Sequence, residues 1–330
     1  MERKYIYEAG LDVFTSFANI VPVEHLEKVG KIDSHKYHIY SILAYHQFYF
    51  KKEKTYCTPE GVQITLFATI DGHEVEYELP LFSINKISMN AIKVELNMPY
   101  TSLTISVDNE EFLQEHPEYY HYKKTMYAQD LFMIFASKIV KKTEFKVLYI
   151  GQAFGKEGRR TAFDRLESHS TLQKILIDCQ AKYADKHIYV MLMEFTPQLL
   201  SVFDGISETY TKTEEESDQH MHEVLSNLPE LDQVINITEA ALINYFKPEY
   251  NINFVENFPD ENHKGYRQYF DLDYNALSVE INLEFDGLNC VQLYTETNNV
   301  KTAYDFIQYQ LYNDNNRLNM YDIFKEEKNS

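Results

Sequence analysis

Three of the six arginines in this 330-residue chain, Arg159, Arg160 and Arg165, fall within one stretch, LYIGQAFGKEGRRTAFDRLESH at residues 148–169. A guanidinium is a planar fork of donors that stays charged at any working pH, and it fits the oxygens of a phosphate. Arg165 and His169 follow Tyr149 by sixteen and twenty residues. Being four apart, they share one face of a helix. Further along, TEAALINYFKPEYN carries Glu239, then Pro248, Tyr250 and Asn251.

These residue types suit phosphodiester hydrolysis, where negative charge builds on the nonbridging and leaving oxygens. Arg165 can grip that phosphate. Glu239 is a hard oxygen ligand of the kind Mg²⁺ takes singly or in pairs while keeping most of its waters. A tyrosine hydroxyl beside such a cation ionises more readily and can serve as a base, which is the role Tyr149 would take. His169 can relay the proton or hold the Tyr149 hydroxyl. Each residue also has an ordinary alternative: one strand tyrosine among 27, a surface histidine, an acid balancing a helix start. Order and spacing are what favour chemistry.

Charge points to the same stretch. The chain has 51 acidic against 31 basic residues, a formal net charge of −20, and would repel nucleic acid if that charge were spread evenly. Residues 138–172 reverse the balance, with eight Lys and Arg against four Asp and Glu. Lys156, Arg159 and Arg160 are therefore expected to hold a nucleic-acid backbone near Arg165, while the acidic remainder rejects nonspecific DNA. Cys57, Cys179 and Cys290 are far apart and odd in number, which argues against a disulfide framework or a thiolate zinc site and for a reducing compartment. The opening MERKYIYEAGLDVF has no apolar core of the signal-peptide kind, and no 18-residue apolar run occurs, so the reading is a cytoplasmic protein without a membrane partner.

The elements that must position these groups follow from periodicity. GVQITLFATI and HEVEYELPLF alternate on either side of Asp71-Gly72, a hairpin signal. MNAIKVELNM and TSLTISVD read as two further strands, and residues 34–50 as helical. HPEYYHYKK at 116–124 reads as an amphipathic linker, with a base-stacking platform as the alternative. LFMIFASKIVKKTEFKVLYIG at 130–150 reads as a hairpin around KKTE, followed by a helix from Thr161 and an apolar strand at 187–195. Residues 207–219 read as a solvated acidic loop, and 237–246 as a helix stopped by Lys247-Pro248. VEINLEFDGLNCVQLYTET suggests a second hairpin, with a helical segment after it.

In this order, strand, strand, helix, strand, loop and helix, the chain resembles the GIY-YIG nuclease family over about residues 130–255. The second half-motif stands as Tyr149-Ile150-Gly151, the Arg-x-x-x-His pair as Arg165 and His169, and the distal glutamate with its Pro-x-x-Asn stretch as Glu239, Pro248 and Asn251. The first half-motif is absent where the hairpin would place it, the strand there reading Met133-Ile134-Phe135, and the stretch from Gly151 to Arg165 is long.

The resemblance implies an α+β fold. A β-rich domain at 1–125 would precede a nuclease-like domain at 126–258 with a small antiparallel sheet flanked by helices, and a short α+β region would follow at 259–330. It further implies a metal-dependent endonuclease using Mg²⁺ or Mn²⁺ held by Glu239, with Tyr149, Arg165, His169 and Glu239 catalytic. Lys156, Arg159, Arg160 and Asn251 would lie against nucleic acid, DNA rather than RNA, with Asn251 also supporting the site from behind. Bacterial or phage restriction or defence is the family's usual context, and a homodimer or a protein partner could engage the N-terminal domain. The alternative is an inactive module of the same fold binding nucleic acid or protein. A third class, an acidic mimic of nucleic acid, is opposed by the clustered arginines.

Overall fold

The computed structural model describes residues 2–84, 87–153, 170–203, 207 and 209–322. Its strands are β1 (Glu8–Pro22), β2 (Ile39–His46), β3 (Tyr49–Phe50), β4 (Tyr56–Thr58), β5 (Gly61–Gln63), β6 (Thr65–Ile70), β7 (His73–Glu78), β8 (Ile92–Asn97), β9 (Ser102–Val107), β10 (Lys123–Tyr127), β11 (Thr143–Gln152), β12 (Lys186–Val202), β13 (Ala276–Asn282), β14 (Val291–Tyr294), β15 (Asn299–Val300) and β16 (Tyr304–Gln310). Its α-helices are α1 (Leu26–Ile32), α2 (Glu110–Glu115), α3 (Ala128–Ile139), α4 (Ser170–Lys182), α5 (Glu214–Ser226), α6 (Leu231–Phe246) and α7 (Arg267–Asp271). The fold is thus mixed α+β.

One eight-stranded mixed sheet organises the chain, in the order β15-β14-β11-β2-β12-β1-β13-β16. β13 runs parallel to β1 and β14 parallel to β11, while the remaining pairs are antiparallel. The sheet takes strands from all three segments expected as separate domains, so the boundaries near 125 and 258 do not fall between separate sheets. Residues 47–142 are inserted between the neighbours β2 and β11. They form three small sheets, β10-β9-β8, β3-β6-β7 and β4-β5, together with α2 and α3.

The large sheet is covered on both faces. A major core holds Ile39, Leu43, Val147, Ile150, Tyr189 and Met191 against the apolar side of α6. A second core holds Tyr40, Ile42, Leu148, Val190 and Leu192 against Leu172, Ile175 and Cys179 of α4. Alternation along β2 divides its residues between the two cores, as a strand buried on both sides requires. Each fully buried aliphatic or aromatic side chain here contributes about 1.5–3 kcal/mol.

Several expected elements are present. β6 and β7 form the hairpin around Asp71-Gly72, whose positive φ values of 50° and 78° are those of the tight primed turn that Asp-Gly favours. β8 and β9 pair as antiparallel neighbours, and the strand at 187–195 is the first half of a longer β12. The helix at 237–246 is the second half of α6, which ends in left-handed Lys247 before Pro248.

Other expectations are corrected. Residues 39–46, expected to be helical, form β2, the most buried strand of the sheet's centre. The hairpin at 130–150 is instead α3 followed by β11. Gln129, Phe132 and Ala136 are buried along α3, a spacing of three and four residues that fits a helix. The acidic loop at 207–219 gives way to α5 from Glu214. There Thr213 accepts from the Glu216 amide while Glu216 accepts from the Thr213 amide, a reciprocal cap. The C-terminal hairpin does not form. β13 lies beside β1 and β14 beside β11, on opposite sides of the sheet's centre, because the sheet's interior offers each a buried partner strand. The segment expected as a final helix holds β16 among its described residues, and 116–124 is a 3₁₀ turn leading into β10.

Candidate active site

Tyr149, Ile150 and Gly151 lie near the end of β11, whose antiparallel partner is β2. Tyr149 stands opposite Ile42, Ile150 opposite Ser41, and Gly151 opposite Tyr40. The neighbour of the Tyr-Ile-Gly strand therefore carries His38-Ile39-Tyr40, not Met133-Ile134-Phe135. Phe135 lies on α3, so the tyrosine expected there is absent from that position, and Tyr40 occupies the strand beside Gly151.

Tyr40 is fully buried and Tyr149 half-buried, with ring centroids 6.0 Å apart. Gly151 is needed beneath them. A Cβ at that position would come within 2.7 Å of Tyr149 Cε1 and 2.9 Å of the Tyr40 hydroxyl. The glycine of the motif is thus the floor on which two phenol rings converge. β2 joins the end of β11 tightly: Ala153 donates to the His38 carbonyl at 2.8 Å, and His38 Nδ1 accepts from the Phe195 amide at 3.1 Å. Burial lowers the His38 pKa against a smaller opposing pull from Glu194, favouring the neutral ring.

Glu239 arrives from α6, which packs against β11. It sits half-buried, three residues after Asn236 on the same helical face. Gln152, the last residue of β11, donates through Nε2 to Glu239 Oε2 at 2.8 Å and to Asn236 Oδ1 at 2.6 Å. By strand alternation Gln152 faces the α6 side while Gly151 and the tyrosine pair face the α4 side. The phenols and the carboxylate therefore reach the same strand end from its two faces. β14 covers β11 only from Thr143 to Lys146, leaving this end beyond it.

Asn251 secures the strand from the other edge. Its side chain accepts from the Ile150 amide at 2.9 Å and donates to the Ile150 carbonyl at 2.8 Å, while the Tyr250 amide donates to the Leu148 carbonyl at 3.1 Å. The Pro-x-x-Asn stretch thus continues the ladder where β14 stops. With both ends of its amide committed to Ile150, Asn251 supports the strand from behind.

α4 is held to the same loop: Tyr250 donates to Asp178 at 2.9 Å and Tyr183 to Glu249 at 2.5 Å, with Lys182 paired to Glu249. Lys182 and Tyr183 together pull the Glu249 carboxyl below its usual range against partial burial. Lys156, Arg159, Arg160, Arg165 and His169 lie outside the described residues, as does the expected helix start at Thr161.

Sequence reasoning missed Tyr40 and Gln152. The signals were His38-Ile39-Tyr40 opening an apolar run, and an amide directly after Gly151. Long separation along the chain concealed the first, since residues 47–142 stand between β2 and β11. In comparisons with known proteins, no family model, no curated protein and no solved structure matches this chain.

Proposed function

We propose that this protein is a metal-dependent endonuclease of the GIY-YIG kind, cleaving phosphodiester bonds of DNA at the end of β11. The observation that carries the reading is the convergence of Tyr40 and Tyr149 over Gly151, with Glu239 tied to the next residue. The order β11-β2-β12 sets the two tyrosine-bearing strands side by side, with α4 and α6 on opposite faces. The ground for an inactive fold was the missing first tyrosine, and Tyr40 opposite Gly151 supports the active reading.

A half-exposed carboxylate that accepts from the neutral Gln152 amide fits Mg²⁺ or Mn²⁺, which rests on one or two carboxylates and fills its shell with water and phosphate oxygen. When bound, the ion would offset charge developing on the phosphoryl and leaving oxygens. Tyr149 would take the proton of the attacking water, and Tyr40 would hold the Tyr149 ring in place. Arg165 would bind the phosphate through its fork, and His169 would carry the proton away. Lys156, Arg159 and Arg160 would grip flanking phosphates without reading sequence.

The test is incubation of the protein with plasmid, linear duplex and RNA in Mg²⁺ or EDTA. Cleavage of duplex DNA that needs the metal and disappears in Tyr149→Phe supports the reading. Binding without cleavage by the wild type, in both Mg²⁺ and Mn²⁺, overturns it in favour of the inactive module.

A further inference from the structure

We infer that Gln152 is a positioning residue for the metal site, acting through Glu239 and itself oriented by Asn236; the inference rests on the nuclease reading above. An ionised carboxylate can only accept hydrogen bonds, so the Gln152 group 2.8 Å from Glu239 Oε2 must be its NH₂. The same nitrogen reaches Asn236 Oδ1 at 2.6 Å. Its two N–H bonds are thereby divided between two acceptors one helical turn apart, which fixes the plane of the amide.

Gly265 lies beside Asn236, where an added Cβ would come within 3.2 Å of Asn236 Cγ. The result is a relay from Asn236 through Gln152 to one oxygen of Glu239. The carboxylate cannot rotate about its last bond without breaking the bond from Gln152, whose amide also donates to Asn236.

The choice of an amide has a chemical consequence. A lysine or arginine at position 152 would hold the same oxygen but cancel much of the charge that attracts a dication. Gln152 supplies direction while adding no charge. Outer partners of this kind typically change metal affinity by about 10–100-fold when removed.

The experiment uses the full chain and Mn²⁺ as probe, with free Mn²⁺ followed by electron paramagnetic resonance and cleavage followed as a function of Mg²⁺. Gln152→Met keeps the length of the side chain and removes the donor. It is expected to raise the Mn²⁺ dissociation constant about 10–100-fold and the Mg²⁺ concentration for half-maximal cleavage in parallel, with KM for DNA unchanged. Asn236→Leu, which frees the amide without removing it, should shift both in the same direction by less, and it stands in if Gln152→Met fails to fold.

Mn²⁺ binding in both variants equal to wild type, with Glu239→Gln lowering it, would overturn the role of Gln152 and leave the nuclease reading intact. A wild type that neither binds Mn²⁺ nor cleaves would remove both. A shift in KM for DNA with unchanged metal affinity would place Gln152 against the substrate and overturn the relay.

Discussion

Two clusters of carboxylates and nitrogen donors in this protein are built on opposite principles. In one, Arg317 joins the two ends of the chain, pairing with Glu8 at 2.5 Å and Asp273 at 2.6 Å, and Lys4 reaches Asp273 at 2.5 Å. The side chains of Arg317 and Glu8 are 2% and 1% exposed. Tyr5 adds a hydrogen bond to Asp273 at 2.8 Å. In the other cluster, Glu239 is half-exposed and the Gln152 donor that orients it is a neutral amide. The first is a closed set in which buried charges are matched by opposite charges, as removal from water demands. In the second, a carboxylate is oriented by a group that leaves its charge intact. Matched burial marks a structural ion pair, whereas the Gln152 amide orients Glu239 without adding charge, as the proposed cation site requires.

The difference can be broken at either end. Arg317→Ala leaves Glu8 buried beside a second carboxylate, and the expected cost is about 3–5 kcal/mol of stability. Urea unfolding measures this, and the cleavage rate per folded molecule should stay unchanged. Glu239→Gln should do the reverse. Cleavage should fall about 100- to 1000-fold, the range for losing one focused electrostatic group, while stability moves by less than about 1 kcal/mol. Equal behaviour of the two variants in both assays would erase the distinction.

Gly151→Ala tests the floor beneath the tyrosines. The added methyl must displace one ring or both, at a cost of about 1–3 kcal/mol in packing. A shift of even an ångström at the reacting groups should slow cleavage about 100-fold, while Mn²⁺ affinity, set through Gln152, is retained.

The smallest expected effect is in pH. Asp273 is kept ionised despite burial because Arg317, Lys4 and Tyr5 hold its carboxyl below the usual range. Its contribution is present above an unfolded carboxyl pKa of about 3.9 and is lost as pH falls through the lower folded value. His38 and His46 are lowered by burial first, with Lys186 adding to the effect at His46. The unfolded chain then binds protons that the folded chain refuses, so stability falls as pH drops below about 6.5. Unfolding curves between pH 7.5 and pH 5, a range set by that value, should decline for the wild type. The decline should be shallower in His38→Gln, whose amide oxygen can still accept from the Phe195 amide. An identical slope would place the titration elsewhere.

Local order was legible in the sequence where local forces decide. Asp71-Gly72 dictates its turn because few other residue pairs adopt two positive φ values cheaply, and the apolar spacing of α6 dictates a helix. α3 was misread as a strand of a hairpin: Gln129, Phe132 and Ala136 fall on one helical face, but its many aromatic and branched residues also suit a strand. α5 was misread as part of an acidic loop, although Thr213 and Glu216 carry the spacing of a reciprocal helix cap. The Tyr-Ile-Gly strand, Glu239 and the Asn251 stretch were singled out through a family resemblance in their order along the chain.

Pairing at long range was not legible. β2 is buried on both faces, so it shows no alternation of apolar and polar residues and reads like any apolar run. That Tyr40 stands across from Gly151 depends on residues 47–142 folding away between them, and no periodicity records that. β13 and β14 likewise look like hairpin partners, and only the competition for buried strand positions separates them across the sheet. The sequence by itself determined which side chains could do chemistry, because that follows from residue type and local spacing. Only the tertiary structure decided which of them meet, because register across a sheet is set by the burial of every strand at once.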